Sequence, residues 1–444
     1  MSTSVQTKSD LGAFDSAGFD SFITRRIDPA WLVEARKSAL ESLGRQDWPN
    51  PRDENWMRSD LRGFKIEKFP LPEATSGALT GSASEAPVRL LEGVDIGGSI
   101  RSCNGVITSE SLSDELKSKG IVFGSLAKAS REQTEIVKKH LHSLIDIEAD
   151  RFAALEKTFW EDGYFLYVPR NVVVEQPLHI HATMTEGSAD VTHTLVILED
   201  GAEATVLTEC SSPSDDSSGF HCGGVELVLG ARAKLRFVSL QDWGQKVWCF
   251  AHKRASVGQD ASIQWTVAAM GSRFAQVDQQ VEMVGPGAHS HVNGVMFTRD
   301  RQQLTYNTIQ RHCAPHCTSD FLYKSVLQDR SRTVWRGMIK VDEGADKTDG
   351  YQRNDNLMLS DAARADSIPG LEILADDVRC THGSTSGRVD EELIFYAQTR
   401  GFTRNEAVLM IVTGFFQQIF DRVTIESVRE ALGAAIARQV RQYE

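Results

Sequence analysis

Long apolar runs are missing from this 444-residue chain: the longest suggestive stretch, AVLMIVTGFF at 407–416, is about half of what a membrane span needs. The opening MSTSVQTKSD carries no apolar core of the kind a secretory leader has. There is no N-x-S/T sequon and no C-x-x-C. The seven cysteines, at 103, 210, 222, 249, 313, 317 and 380, are odd in number and mostly far apart. That pattern fits reduced thiols in a cytoplasm better than a disulfide framework. Positive charge is not in excess either. A net charge of −13 repels polyanions, which argues against nucleic acid and anionic membrane as partners and leaves protein surfaces or metal ions. No P-loop, dinucleotide fingerprint or H-E-x-x-H occurs, so the chain does not read as an ATPase, a Rossmann enzyme or a zincin.

What is present suffices for a buried core. Apolar residues make up 41% and charged residues 25%, and the length suggests two or three domains. Periodicity divides the chain at about 165 and 385. Residues 1–165 mix helical and loop signals. PAWLVEARKSALESLG at 29–44 predicts a helix that begins with a proline in its first turn and stops at a glycine. REQTEIVKKHLHSLIDIEADRFAALEKTFWEDG at 131–163 reads as a second helical stretch. SGALTGSASEAP at 76–87 looks like a flexible connector.

Residues 166–385 change texture to short runs rich in Val, Thr and Ile, separated by Gly/Asp turns. An A-x-A-like restart after these turns recurs in EDGAEATV, LGARAKLRFV, GQDASIQWTV and GPGAHSHVNGV. Its marker alanines, Ala202, Ala231, Ala261 and Ala288, are 29, 30 and 27 residues apart by subtraction. Near-constant spacing without a strict motif predicts the stacked coils of a β-solenoid, with a β-sandwich as the competing fold. Residues 386–444 are helical. Thr403 and Glu406 form a capping-box pattern, and Ile425, Val428, Leu432, Ala435 and Ile436 share one stripe. Such a tail can cap the solenoid or dock a partner.

Three short motifs compete for chemistry. HCAPHC at 312–317 resembles a metal knot, but in an extended strand its histidines face one side and its cysteines the other, which favours structural thiols. GSTSG at 383–387 approaches a nucleophile elbow with Thr385 in the serine's place, yet no histidine follows it in the chain, so the hydrolase reading is discarded. LEILADDVRCTH reads as a strand that puts Val378, Cys380 and His382 on one face, before a glycine-bounded turn. Thiolate and imidazole are both ligands for iron or zinc, although a Cys-x-His is more often structural.

The run YQRNDNLMLSDAARADSIPGLEILADDVRCTHGSTSGRVDEELIFYAQTRGF, 351–402, strongly resembles the C-terminal signature of the SufB/SufD family of the Suf iron–sulfur cluster assembly system, on its SufD side. DWPNPRDENWMRSDLRGF at 47–64 and VPRNVVVEQPLHIH at 168–181 are similar to further segments of that family. The C-x-H-G version at 380–383 favours SufD, because SufB carries V-E-H-E-A there. G-S-T-S-G departs slightly from the family's G-A-T-V-G. The resemblance implies a mainly β fold: a right-handed parallel β-helix core flanked by N-terminal and C-terminal helical regions. It implies a cytoplasmic scaffold that is not an enzyme, has no cofactor of its own, and pairs with a SufB-like paralogue. A transient iron or Fe–S cluster would form at that interface, where the resemblance places Cys380 and His382 to assist its capture. A SufC-like ATPase would dock on the helical tail, through Asp390, Glu391, Phe395, Tyr396, Phe402, Phe415 and Phe416. A homodimer of the isolated chain, a SufB-like cluster carrier and a β-helix carbohydrate-active enzyme stand as alternatives.

Overall fold

The structure, a computed structural model, describes residues 10–50, 52–71, 86–91, 94–423 and 425–440. Most of the connector expected at 76–87 lies outside them. The strand runs fall alternately into two sheets and build a β-solenoid of about eight turns. One sheet stacks Gly98–Cys103, Leu178–Thr183, Glu203–Ser211, Lys234–Asp242, Ser262–Ala269, His289–Thr298, Thr318–Leu327, Thr348–Met358 and Val378–Arg388, all parallel. The second stacks Asp162–Val168, Ser188–Leu198, Ser218–Leu229, Lys246–Val257, Phe274–Met283, Gln303–His312, Arg332–Val341 and Arg364–Ile373. At the start of the stack, antiparallel strands Val106–Leu112 and Val122–Ser125 are the outermost strands of the two sheets.

A ladder of turns sets the repeat. Asn171, Gly201, Arg232, Asp260, Gly287, His316 and Lys347 all take φ between 51° and 72°, the left-handed region. Only Gly enters this region without cost, and Asn and Asp tolerate it best among the rest. The N–H of each donates to a carbonyl of the next coil: Gly201 to Ala231 at 2.8 Å, Arg232 to Gln259 at 2.7 Å, and His316 to Asp346 at 2.9 Å. Hydrogen bonding between coils thus continues through the corner. Immediately after the five corners from Gly201 to His316 comes a fully buried small residue, Ala202, Ala233, Ala261, Ala288 and then Cys317; Thr348 follows Lys347 and half-buried Val172 follows Asn171. The sequence rhythm is correct in kind but marks the wrong residue in one coil. Ala231 lies in the turn, before the left-handed Arg232, and Ala233 fills the stack.

Parts of both outer faces of the solenoid are covered, which explains why a strand such as Ser188–Leu198 is buried on both sides whereas Arg332–Val341 alternates. The N-terminal region packs on the second sheet. Phe152, Leu155 and Phe159 of the helix Arg151–Phe159 join Trp56 and Phe64 against Phe220, Phe250 and Phe274. Phe152 and Phe250 stack with centroids 3.7 Å apart. The helix expected at 29–44 forms as Ala30–Arg45, with Pro29 at its N-cap; it runs through Gly44. The helical stretch at 131–163 is broken instead into Thr134–His140 and Arg151–Phe159. The cause is local. Glu226 draws the N–H groups of His142, Leu144 and Ile145 out of any helix, and Asp150 starts a new one by accepting from Phe152 and Ala153.

The C-terminal helices, Glu391–Thr399, Arg404–Phe420 and Glu426–Val440, lie along the outer face of the first sheet rather than over the end of the solenoid. Val408, Val412, Phe416, Ile419, Val428, Leu432 and Ile436 meet Leu240, Val295, Phe297 and Leu322 there. Thr403 and Glu406 form the expected capping box. No helix among the described residues is long and apolar enough to cross a membrane.

The buried stack makes a direct check. Ala233→Leu overfills the corner and should lower stability to denaturant by about 1–3 kcal/mol. Ala231→Leu, two residues away in the turn, should change it by no more than about 0.5 kcal/mol. Equal effects at the two positions would refute the register.

Candidate functional site

The far end of the solenoid is built differently from its start. Val378–Arg388 pairs only with Thr348–Met358, and Arg364–Ile373 pairs only with Arg332–Val341. Among the described residues nothing lies on their other edges, so two rows of backbone donors and acceptors face outward. The segment LEILADDVRCTH, expected as one strand, is divided between these two strands, with a corner at 374–377. The glycine-bounded turn expected after His382 is absent. The strand continues through Gly383 and Gly387 to Arg388, in register with Arg353, Leu357 and Met358.

Alternation along the last strand settles the faces. Arg379 pairs outward with Asp349. Thr385 Oγ1 donates outward to Asp355 Oδ1 at 2.6 Å, which removes it from nucleophile chemistry. Cys380 and His382 point to the interior of the open coil. Cys380 stands over Gly350, where an added Cβ would sit 3.2 Å from its sulfur, and packs with Ile339, Val341 and Ala345. Half-burial pushes its thiol pKa up. His382 stands over Gln352, is exposed, and makes no hydrogen bond among the described residues. Across the coil, Leu371 and Ile373 are left 39% and 38% exposed because no further coil covers them. Just inside, Asn356 Nδ2 donates to Asn354 Oδ1 at 2.9 Å and Ser386 Oγ at 3.2 Å, and Gln352 donates to the Gly370 carbonyl at 3.0 Å. The end therefore offers one soft and one borderline donor, about 7 Å apart along the strand. Two such donors cannot close a metal's coordination shell alone.

A second exposed apolar group lies on the tail that follows. Leu393, Phe395, Tyr396, Phe402 and Met410 are all exposed, Phe395 at 69%. The other residues expected to dock a partner divide. Asp390 caps its helix by accepting from the Glu392 N–H, and Glu391 makes a two-bond ion pair with Arg404. Phe415 is half-covered, with the Lys324 ammonium 4.8 Å from its ring centre. Phe416 is a correction: it is fully buried against the first sheet and Phe420, because the three-and-four spacing of the helix turns it inward.

HCAPHC is a coil corner. The strand ends at His312, and His316 takes the left-handed position. Cys317 fills the stack of small residues and donates to the Gly285 carbonyl at 3.4 Å. Burial lowers the His312 pKa to about 4, and its Nε2 meets Ser319 Oγ at 2.8 Å. Ligand atoms do gather elsewhere, at His142, Glu156 and His193. Separations of 14 and 37 residues give that group no motif for sequence reading to find.

Comparison with known proteins places the chain among its relatives. The family described as "SUF system FeS cluster assembly, SufBD core domain" matches residues 181–415, and "SufBD protein N-terminal region" matches 96–180. The iron–sulfur cluster assembly protein SufD of Bacillus subtilis is 27% identical over 439 residues, covering 96% of this chain and 98% of its own. An iron–sulfur cluster assembly SufBD family protein of Staphylococcus saprophyticus is 27% identical over 435 residues, covering 94% and 92%. One of Staphylococcus haemolyticus is 25% identical over the same length, with the same coverage.

The thiol environments predict an order of reactivity. Native-state alkylation mapped by mass spectrometry should label Cys380 first, with a rate that still climbs above pH 9. Cys313 should follow more slowly, since burial beside Asp342 and Glu282 pushes its thiol up to about 12. Early labelling of the buried Cys317 or Cys249 would contradict the packing.

Proposed function

The chain belongs to the SufBD family of SUF-system iron–sulfur cluster assembly proteins, and on that premise we propose that it is a non-catalytic scaffold subunit of the SufD type. The observation that carries this reading is the uncapped last coil. Its open edges and uncovered apolar interior suit a second β-solenoid of the SufB type, which would extend both sheets across the interface. At the opposite end the outermost strand of each sheet is antiparallel, so a further parallel coil would not continue the stack there.

In this reading Cys380 and His382 face the joint and supply two donors to iron or a nascent cluster, which is cargo rather than a resident cofactor. The partner supplies the remaining ligands. Neutral imidazole can bind at pH 7 without losing a proton, and the Cys380 thiol, held protonated by half-burial, ionises as metal arrives. The exposed face of Leu393, Phe395, Tyr396, Phe402 and Met410 receives a SufC-type ATPase, with Asp390 and Glu391 shaping the start of that helix. The three parts divide the work: 1–165 braces the core, 166–385 forms the solenoid, and 386–444 docks the ATPase. The free thiols support a cytoplasmic setting for this assembly.

Phe395→Ala with Tyr396→Ala should abolish co-purification of a SufC-type ATPase while leaving the unfolding midpoint nearly unchanged. Phe416→Ala should destabilise the tail by about 3–5 kcal/mol. If the double variant still bound the ATPase at wild-type strength, the docking face would be wrong. At the open end, Leu371→Asp with Leu374→Asp should block pairing with a SufB-type chain; retained pairing would place the interface elsewhere. Complementation of a SufD-deficient strain by Cys380→Ala and His382→Ala separates chemistry from packing. The expected result is an intact complex with impaired maturation of iron–sulfur enzymes, and wild-type maturation from both variants would remove these two residues from the site.

A further inference from the structure

Away from the open end, four ionisable side chains meet where the N-terminal region grips the second sheet. Glu156 comes from the helix Arg151–Phe159, His193 and Glu226 from strands Ser188–Leu198 and Ser218–Leu229, and His142 from the loop between helices. All four side chains are almost completely buried. Glu156 receives His142 Nε2 at 3.1 Å and His193 Nδ1 at 3.0 Å, and the ligand atoms of the three all lie within 4.8 Å of one another. The two imidazole rings are 4.3 Å apart.

We propose that His142, His193 and Glu156 form a structural binding site for a borderline divalent cation of the zinc class, independent of the cluster chemistry at the open end. Two imidazoles and a carboxylate are a donor set that suits such an ion. Three observations support a built site. First, His193 is oriented from behind: its Nε2 meets Glu226 at 3.0 Å, leaving Nδ1 aimed at Glu156. A carboxylate behind a ligating imidazole is the usual way to fix its tautomer and raise its basicity. Glu226 is itself fixed by the His142 and Leu144 N–H groups at 2.5 and 2.6 Å. Second, space is reserved. A Cβ on Gly224 would sit 2.4 Å from His193 Nδ1 and 3.0 Å from the Glu156 carboxyl carbon. His142, a non-glycine residue, is also held at φ 53°, which turns its ring into the group. Third, the two buried carboxylates have no Arg or Lys ion pair among the described residues and are offset only by the imidazoles, with both His193 nitrogens donating to carboxylates; a divalent ion that replaced the proton on Nδ1 would balance both. Because all four side chains are buried between the N-terminal region and the second sheet, the ion would fasten the loop and helix to the sheet.

The test uses the full-length chain, stripped with a chelator and titrated with Co²⁺ as a spectroscopic probe. One equivalent should bind with weak visible d–d bands and no thiolate charge-transfer band, and Zn²⁺ should displace it and raise Tm. Glu226→Gln should weaken Co²⁺ binding about 10–100-fold. His142→Gln, on the loop, should abolish it, with circular dichroism confirming the fold; if that variant does not fold, the Glu226→Gln titration decides. Absence of uptake would overturn the proposal and leave a hydrogen-bonded network sharing protons. A thiolate band would overturn it in favour of Cys380 or HCAPHC, as would unchanged affinity in the folded variants.

Discussion

Everything in this molecule hangs on the parallel backbone ladder between coils. A strand in such a stack satisfies its N–H and C=O groups only through the coil before and the coil after, so no coil is complete alone. Along the row of corners from Asn171 to Lys347 the ladder continues, because each left-handed residue there donates to the coil that follows. A stack made this way has two ends, and each end exposes unsatisfied backbone. Here one end finishes in an antiparallel strand on each sheet and the other in the parallel strands of the last coil.

The same ladder dictates what the corners tolerate. A buried position just inside each turn accepts only a small side chain, since coils repeat at the spacing of neighbouring strands, about 4.8 Å. From Gly201 to Lys347 alanine fills it four times, Cys317 once and Thr348 once. A cysteine chosen for size, beside a histidine chosen for a left-handed turn, produces HCAPHC without any metal chemistry. The buried His142, Glu156 and His193, by contrast, come together only because the helix at 151–159 is pressed on the second sheet.

Covering both outer faces frees the ends for function. With the N-terminal region on one sheet and the tail on the other, neither flanking region blocks the last coil. The tail also separates two roles within one helical stretch: Phe416 is spent on the core, while Phe395 and Tyr396 remain in solvent. Adjacent phenylalanines at 415 and 416 look equivalent in sequence, and helix geometry alone makes one partly exposed and the other buried.

The solenoid was legible in the sequence because its repeat is local: turn, small residue and strand recur within about thirty residues. The capping box at Thr403 and Glu406 was legible for the same reason, as was the shared face of Cys380 and His382, which follows from strand alternation. The errors came where a distant group decides. The helix at 131–163 breaks because Glu226, far along the chain, takes its backbone donors, and the strand after His382 continues past its glycines because Thr348–Met358 offers a full pairing partner. Sequence by itself determined the repeat, the order of the three regions and the residue types at the last coil. Only the tertiary structure decided that this coil is left open and that the tail lies along the flank, because both depend on which surfaces find a partner across the fold.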